Sequence, residues 1–405
     1  MRPGHTAGLL RRDELVRGDG ANASTPDAAT GRWAAIDALR GLSIIAMLLS
    51  LTPGAWEHSF GWLVHVRWEG WNLVDMVAPG FLFCIGAVMP VSLRRRVADG
   101  DGRVAAHVLK RALGLVLLGV FINAYPEFDA AHLRLPGVLQ RIGASYALAA
   151  MFVLRLSRRG NRLQVSAVRM SVAAACILAS YWALLYFVPV PGYGAQRFDP
   201  EGSWPAVIDR AVFTVPHLFR WWPVNGQVVF DPDGLLSIYP TCALILLGVA
   251  ANAAWPTWRQ PERICIAAGG ALIALAIGLQ GACPIIKNIW TSTFVLFSAG
   301  FSLVLLGALT LVYRNGHANA LFFPLRVFGA NPLLAYLVCF LFAPALDANW
   351  LPLADHGRVS LRWGSQLLLA GLDPQAASIL FGVAYLTLLF PLLWFAHRRG
   401  WFLKL

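Results

Sequence analysis

The chain has 405 residues, of which 58% are hydrophobic and 13% charged, and a formal net charge of +12. A soluble domain carries about a quarter charged residues, so a water-soluble fold is excluded; repeated apolar runs long enough to cross a bilayer indicate an all-α, polytopic membrane protein. The positive charge is concentrated in the connections between those runs, which marks membrane topology and excludes nucleic acid as a partner.

Residues 1–31, rich in Gly, Ala, Thr, Asp and Arg, read as a disordered cytoplasmic tail lacking the compact apolar core of a secretory leader. Residues 32–405 read as one transmembrane domain. Ten helical spans are expected near 36–52, 73–93, 107–124, 137–156, 168–188, 234–251, 264–280, 289–312, 325–346 and 378–396. A cytoplasmic N-terminus puts the basic clusters Arg11–Arg40, Arg94–Arg111, Arg155–Arg169, Arg259/Arg263, Arg314/Arg326 and Arg398–Lys404 on the inner side, and the C-terminus with them. Outer loops are then expected at 53–72 and 189–233. The second is long and rich in Pro, Gly, Trp and Asp, and is either a lid over an outward cavity or an interfacial aromatic belt. Segment 357–372 is too short and too charged to span, so it is expected to lie at the outer surface. No internal repeat supports an inverted-repeat transporter. The six cysteines stand singly, without CxxC or Cys/His spacing, and read as packing residues; no metal site is expected.

Ionisable groups within spans are costly and mark candidate functional sites. Asp75 lies near the outer end of the second span, Gln140 and Arg141 open the fourth from outside, and Lys287 and Asn288 precede the eighth. The loops beside them carry His65, Glu69, Asp231 and Asp233. If the spans adjoin, these residues ring a polar pocket; snorkelling accounts equally for an isolated Arg141 or Lys287. His65 is the natural chemical centre, because a neutral imidazole accepts a proton near pH 7 or acts as a nucleophile. Glu69 or Asp75 could orient it. Asp37 and Arg40, three residues apart, read as an interfacial ion pair.

"IDALRG" entering the first span, then "HVRWEGWNLVDMVAPGFLFCIGAVMPVSL", resembles the heparan-α-glucosaminide N-acetyltransferase family. The likeness continues through "LPGVLQRIGASY", "VVFDPDGLLS", "PIIKNIWTSTF" and "FGANPLLAY", in the family's order and over nearly the whole chain after residue 31. The resemblance implies acetyl transfer across the membrane from cytoplasmic acetyl-CoA to a terminal glucosamine amine. It further implies a homodimer in the bacterial inner membrane, in a branch linked to N-acetylglucosamine use. It places the family's active histidine at His65, either as a base or as a transiently acetylated group. On that reading, Lys287, Asn288 or Arg141 would serve the developing oxyanion. Asp231, Asp233, Trp68 and Trp71 would hold the sugar, and the inner loop with Arg94, Arg95, Arg96, Lys110 and Arg111 would meet the CoA phosphates. The same loop also follows from positive-inside sorting alone.

One position departs from the family. An Asn near the outer end of the first span, which the resemblance would set beside the histidine, corresponds by count from Asp37 to Leu51. Leucine offers no side-chain hydrogen bond, leaving Thr52 or Asn72 as substitutes. Two further readings remain open on the sequence: a transporter of N-acetylglucosamine or a related sugar, and an O-acetyltransferase of surface glycans.

Overall fold

In lipid, backbone N–H and C=O groups find no partner but each other, so the long apolar runs become helices. The computed structural model of the protein describes residues 26–314, 318–353 and 357–403. Its α-helices are α1 (Pro26–Leu51), α2 (Val77–Ala98), α3 (Asp101–Ala124), α4 (Val138–Ser157), α5 (Ala167–Phe187), α6 (Trp204–Phe213), α7 (Ile238–Ala254), α8 (Pro261–Leu279), α9 (Ser292–Arg314), α10 (Ala318–Ala330), α11 (Pro332–Asp347), α12 (Leu361–Leu368) and α13 (Pro374–Arg398). Two short antiparallel pairs are β1 (Arg158–Arg159) with β2 (Arg162–Leu163) and β3 (Leu351–Leu353) with β4 (Gly357–Val359).

Each expected span falls on a helix, with two differences. Among the described residues, eight helices are long and apolar enough to cross a membrane, and the expected span 325–346 is a pair, α10 and α11, bent by 78°, which is a broken span or a re-entrant loop. The bend falls at Asn331, where the ring of Pro332 disfavours helical geometry in the residue before it. The second difference is α4, which has the length of a span but is less apolar than the eight, because it carries Gln140, Arg141 and Arg155. Of the expected tail, residues 26–31 belong to α1, and residues 1–25 lie outside the described residues. Lys404, which closes the last basic cluster, also lies outside them.

The interior is built by α2, α7 and α9, while α3, α5, α8 and α13 leave most of their apolar surface outward. α2 packs on α7, α8 on α9, α5 on α7, α3 on α4, and α1 on α10. Close approach of α2 and α7 depends on small residues, as is usual where lipid removes the hydrophobic drive for association. A methyl group on Gly86 would collide with the carbonyl of Ile245 and lie 3.1 Å from the Cα of Gly248. Asp37 and Arg40 form the expected ion pair at 2.9 Å, and Arg40 also donates to the carbonyl of Gly329, tying α1 to α10.

Three connections shape the site. Residues 52–76 leave α1, make short 3-10 turns at Gly61–Leu63 and Leu73–Met76, and run into α2. The long connection after α5 is ordered around α6 and ends in the Asp231–Gly234 turn ahead of α7. Residues 280–291 connect α8 to α9. The segment 357–372 is a strand and the two-turn helix α12, too short to span; Arg362 within it pairs with Asp347 at 2.7 Å.

Candidate active site

The segment holding His65 is knitted to the connection before α9 by main chain as well as side chain. The Gly70 N–H donates to Ile285 O at 2.9 Å, Glu69 bridges Ile286, and Asn288 Nδ2 donates to Arg67 O at 2.8 Å. This pairing delivers Lys287 to His65 from 222 residues away.

Three of the expected residues converge. His65 Nδ1 lies 2.7 Å from Asp75 Oδ1 and 2.7 Å from Lys287 Nζ, and Lys287 Nζ is 3.1 Å from Asp75 Oδ1. Nδ1 can donate to Asp75 or accept from Lys287, but not both. With Asp75 ionised, a proton on Nδ1 leaves every group partnered: imidazole and ammonium both donate to the carboxylate, and Nε2 carries the lone pair. Asp75 is fully buried, and its second oxygen accepts from the N–H groups of Asn72 at 2.8 Å and Val66 at 3.4 Å. The His65 side chain keeps 37% of its surface exposed, and its Nε2 has no hydrogen-bond partner among the described residues. Burial, followed by the adjacent Lys287 cation, holds His65 below the ordinary imidazole range, although Asp75 pulls the other way. The ring is therefore neutral, with an accessible lone pair, at neutral pH. Burial likewise lowers Lys287 below an ordinary ammonium.

Of Thr52 and Asn72, Thr52 does not reach this cluster, and Asn72 serves it through its main-chain N–H on Asp75, its side-chain Nδ2 being engaged elsewhere. Thr52 Oγ1 donates to Leu48 O at 2.8 Å, and Asn72 Nδ2 donates to Gly61 O at 2.9 Å and Val64 O at 2.6 Å. Among the described residues, the side chains within hydrogen-bond distance of the His65 ring are those of Asp75 and Lys287.

A second cluster adjoins the first. Asp231 accepts from Arg134 at 2.9 and 2.5 Å, and Asp233 accepts from Arg134 at 2.8 Å and pairs with Arg141. Arg141 also donates to Pro232 O at 2.9 Å and stacks 4.4 Å over Trp290. Two guanidinium groups thus balance two carboxylates in a buried network, the condition under which buried charges are tolerated. Burial would raise Asp233, but Arg141 and Arg134 outweigh it and hold the carboxyl below its usual range. Asp231 and Asp233 were expected to receive sugar hydroxyls; in the structure their oxygens are committed to Arg134 and Arg141.

The other expected residues are spread around this centre. Trp68 packs edge-on to Phe230 at 5.0 Å and donates its indole N–H to Phe198 O at 2.8 Å. Trp71 lies on Phe297 at 4.7 Å and is exposed, as is the Glu69 side chain. Gln140 Nε2 donates to Leu135 O at 3.1 Å, holding the turn before α4. Asn288 keeps its Oδ1 buried and unpartnered.

A cavity of about 870 Å³ runs between α1, α2, α3, α4 and α11. One end is lined by Arg40, Arg95, Arg96, His107 and Arg111, and its middle by Ile44, Phe81, Ile85 and Val88. The other end reaches Arg141 and the α2 residues Val77 and Ala78, one turn past Asp75. Three buried nitrogens on this wall, His107 Nε2, Arg111 Nε and Arg141 Nε, have no hydrogen-bond partner among the described residues. Arg94 and Lys110, from the same expected basic set, are exposed and outside the lining. Sequence reasoning read Arg40 only as the ion-pair partner of Asp37 and missed Arg134, His107 and Trp222, whose ring lies 6.3 Å from that of His65. A signal existed for His107, which is four residues from Arg111 and so on the same helix face.

Residues 32–196, which include His65, Asp75, Arg141 and the basic end of the cavity, match the family model described as heparan-alpha-glucosaminide N-acetyltransferase, catalytic. The heparan-alpha-glucosaminide N-acetyltransferase of Mus musculus is 24% identical over 361 residues, which cover 77% of this chain and 54% of that protein. That of Homo sapiens is 24% identical over 358 residues, covering 76% and 52%. The chain therefore spans about half the length of the curated relatives it matches. Over residues 32–196, within its multi-pass helical bundle, the chain is therefore similar to the catalytic region of heparan-alpha-glucosaminide N-acetyltransferases.

Proposed function

We propose that this protein is a transmembrane acetyltransferase. It moves acetyl from cytoplasmic acetyl-CoA to the amine of a glucosamine or glucosaminide on the periplasmic side of a bacterial inner membrane, with both termini cytoplasmic and two copies forming a homodimer. The observation that carries the reading is the cavity. It joins a cluster of cations to Arg141 through an apolar middle, and at that end it is lined by Val77 and Ala78, two and three residues after Asp75, and by Arg141, whose charge acts on Lys287.

The residues present fit acetyl-CoA. Its phosphates suit Arg95, Arg96, Arg111 and Arg40, and among the described residues the Arg111 Nε is a buried donor without an acceptor on this wall, beside a His107 Nε2 that is also unpartnered. The Arg141 Nε, equally unpartnered, offers a donor for a carbonyl oxygen at the far end. When bound, the donor supplies an activated acetyl thioester. The chain's own groups do the rest. His65 Nε2 takes the proton from the acceptor amine as the new C–N bond forms and gives it to the departing CoA sulfur as the C–S bond breaks, Asp75 holds the imidazole in the tautomer that leaves Nε2 free, and the Lys287 cation stabilises negative charge developing beside it. Lys287 is unsuited to carry the acyl group itself, since an amide on its nitrogen would not transfer onward as an acyl-imidazole can.

The test is acetyl transfer by purified protein in nanodiscs, with labelled acetyl-CoA and glucosamine or chitosan fragments as acceptors. Transfer by the wild type and its loss in His65→Ala are expected. Transfer that survives His65→Ala would remove the histidine from the chemistry. Sugar flux in proteoliposomes without acetylation of any acceptor would replace the reading with a transporter.

A further inference from the structure

Resting on the acetyl-transfer reading, we propose that Trp222 is the platform for the acceptor's sugar ring and so selects a pyranose amine over a linear one. Trp222 belongs to the connection between α6 and α7, and its indole meets the His65 imidazole edge-on, at 6.3 Å and 78°. It is half-buried, packed with Trp68 on the small core of Ala206, Val229 and Phe230. Of these two indoles, Trp68 is committed, because its N–H donates to Phe198 O. The Trp222 N–H has no partner among the described residues, so it retains both a donor and a partly open ring beside the histidine whose Nε2 is free. An indole face binds the C–H surface of a pyranose, and its N–H can meet a ring hydroxyl. A linear amine offers no such face.

The platform is braced. Phe219 packs edge-on to Trp222 at 6.1 Å, and the Arg134 guanidinium lies 4.6 Å over Phe219. Arg134 is fixed in turn by Asp231 and Asp233. The base of the connection is pinned where Leu135 N donates to His217 O at 3.0 Å and His217 Nδ1 meets Leu133 O at 2.7 Å. The two carboxylates that a sequence reading would give to the sugar thus act on it at one remove: they hold the arginine that holds the aromatic wall.

The experiment compares wild type, Trp222→Ala and Trp222→Phe in nanodiscs, measuring kcat and KM separately for acetyl-CoA, for methyl glucosaminide and for a linear amine such as ethanolamine. Trp222→Ala is expected to raise KM for the glucosaminide about tenfold, the scale of one stacking contact. KM for acetyl-CoA should stay unchanged, and the preference for the glucosaminide over ethanolamine should fall by the same factor. Trp222→Phe, which keeps a ring, should restore most of the preference, and unchanged donor KM in both variants shows that they are folded. An active wild type with the same glucosaminide KM in Trp222→Ala would overturn the platform alone. A wild type that acetylates no glucosaminide would overturn the acetyl-transfer reading and the platform with it.

Discussion

Replacing Asp75 with Asn keeps the shape of the site and changes one atom, and the surroundings dictate which way the new amide must turn. The second oxygen of Asp75 accepts the N–H groups of Asn72 and Val66, at 2.8 and 3.4 Å. The amide of Asp75→Asn must present its carbonyl oxygen to those two donors, which leaves its NH2 facing His65 Nδ1 and Lys287. Nδ1 then accepts rather than donates, and the imidazole proton moves to Nε2, the position that has to take a proton from the amine. Loss of a positioned general base costs about 10²- to 10⁴-fold in rate, equivalent to about 2.7–5.4 kcal/mol of barrier at 1.36 kcal/mol per decade. The assay is kcat/KM for acetyl transfer in nanodiscs across pH, with binding of acetyl-CoA measured in parallel. Donor affinity should hold while kcat falls. Wild-type kcat in Asp75→Asn would show that the tautomer of His65 does not govern the reaction.

Three other outcomes follow from the same structure. Lys287→Met removes a cation 2.7 Å from His65 Nδ1; a neighbouring unit charge is worth about 1–4 kcal/mol between water-like and surface dielectrics. Because the ring is partly exposed, the low end applies, and the acid limb of the kcat/KM profile should move up by about one pH unit; an unmoved limb would refute the pairing. Asp209 is buried and its carboxyl is pushed up to about 8 by that burial, against about 3.9 in the unfolded chain. Its contribution to stability is therefore complete below about pH 4 and lost as pH rises through about 8. Asp209→Asn should melt increasingly above the wild type over that window, whereas a difference independent of pH would refute the assignment. Gly86→Ala should lower the melting temperature in detergent by the equivalent of about 1–3 kcal/mol of overpacking, since its methyl group meets the Ile245 carbonyl; an unchanged melt would mean that α2 and α7 separate freely.

The sequence made the helices legible because a bilayer permits little else, and it made His65, Asp75 and Lys287 legible because ionisable groups at the ends of apolar runs stand out. It left unread which residues face one another across the bundle. Arg94 and Lys110 looked equivalent to Arg95, Arg96 and Arg111, but helix rotation turns only the latter three to the cavity. Asp231 and Asp233 looked like free sugar ligands because their partner, Arg134, lies nearly a hundred residues earlier in an unremarkable loop. The bend at Asn331 was masked by continuous hydropathy, since a break at a proline leaves the composition of a span unchanged. Trp222 gave no signal at all, being one of 16 tryptophans in a chain where indoles also gather at interfaces.

The main-chain pairing between residues 69–70 and 285–286 has a consequence for the life of the protein in the cell. His65 and Asp75 emerge together and can pair within their own loop, but Lys287 is made more than two hundred residues later. The three-residue cluster is therefore complete only when the first and last thirds of the bundle have docked. Inherited or engineered changes that weaken that docking far from the chemistry should therefore lower the number of working molecules while each survivor turns over at its normal rate. Specific activity per correctly assembled molecule, set against total protein, becomes a direct gauge of how faithfully the membrane bundle is put together.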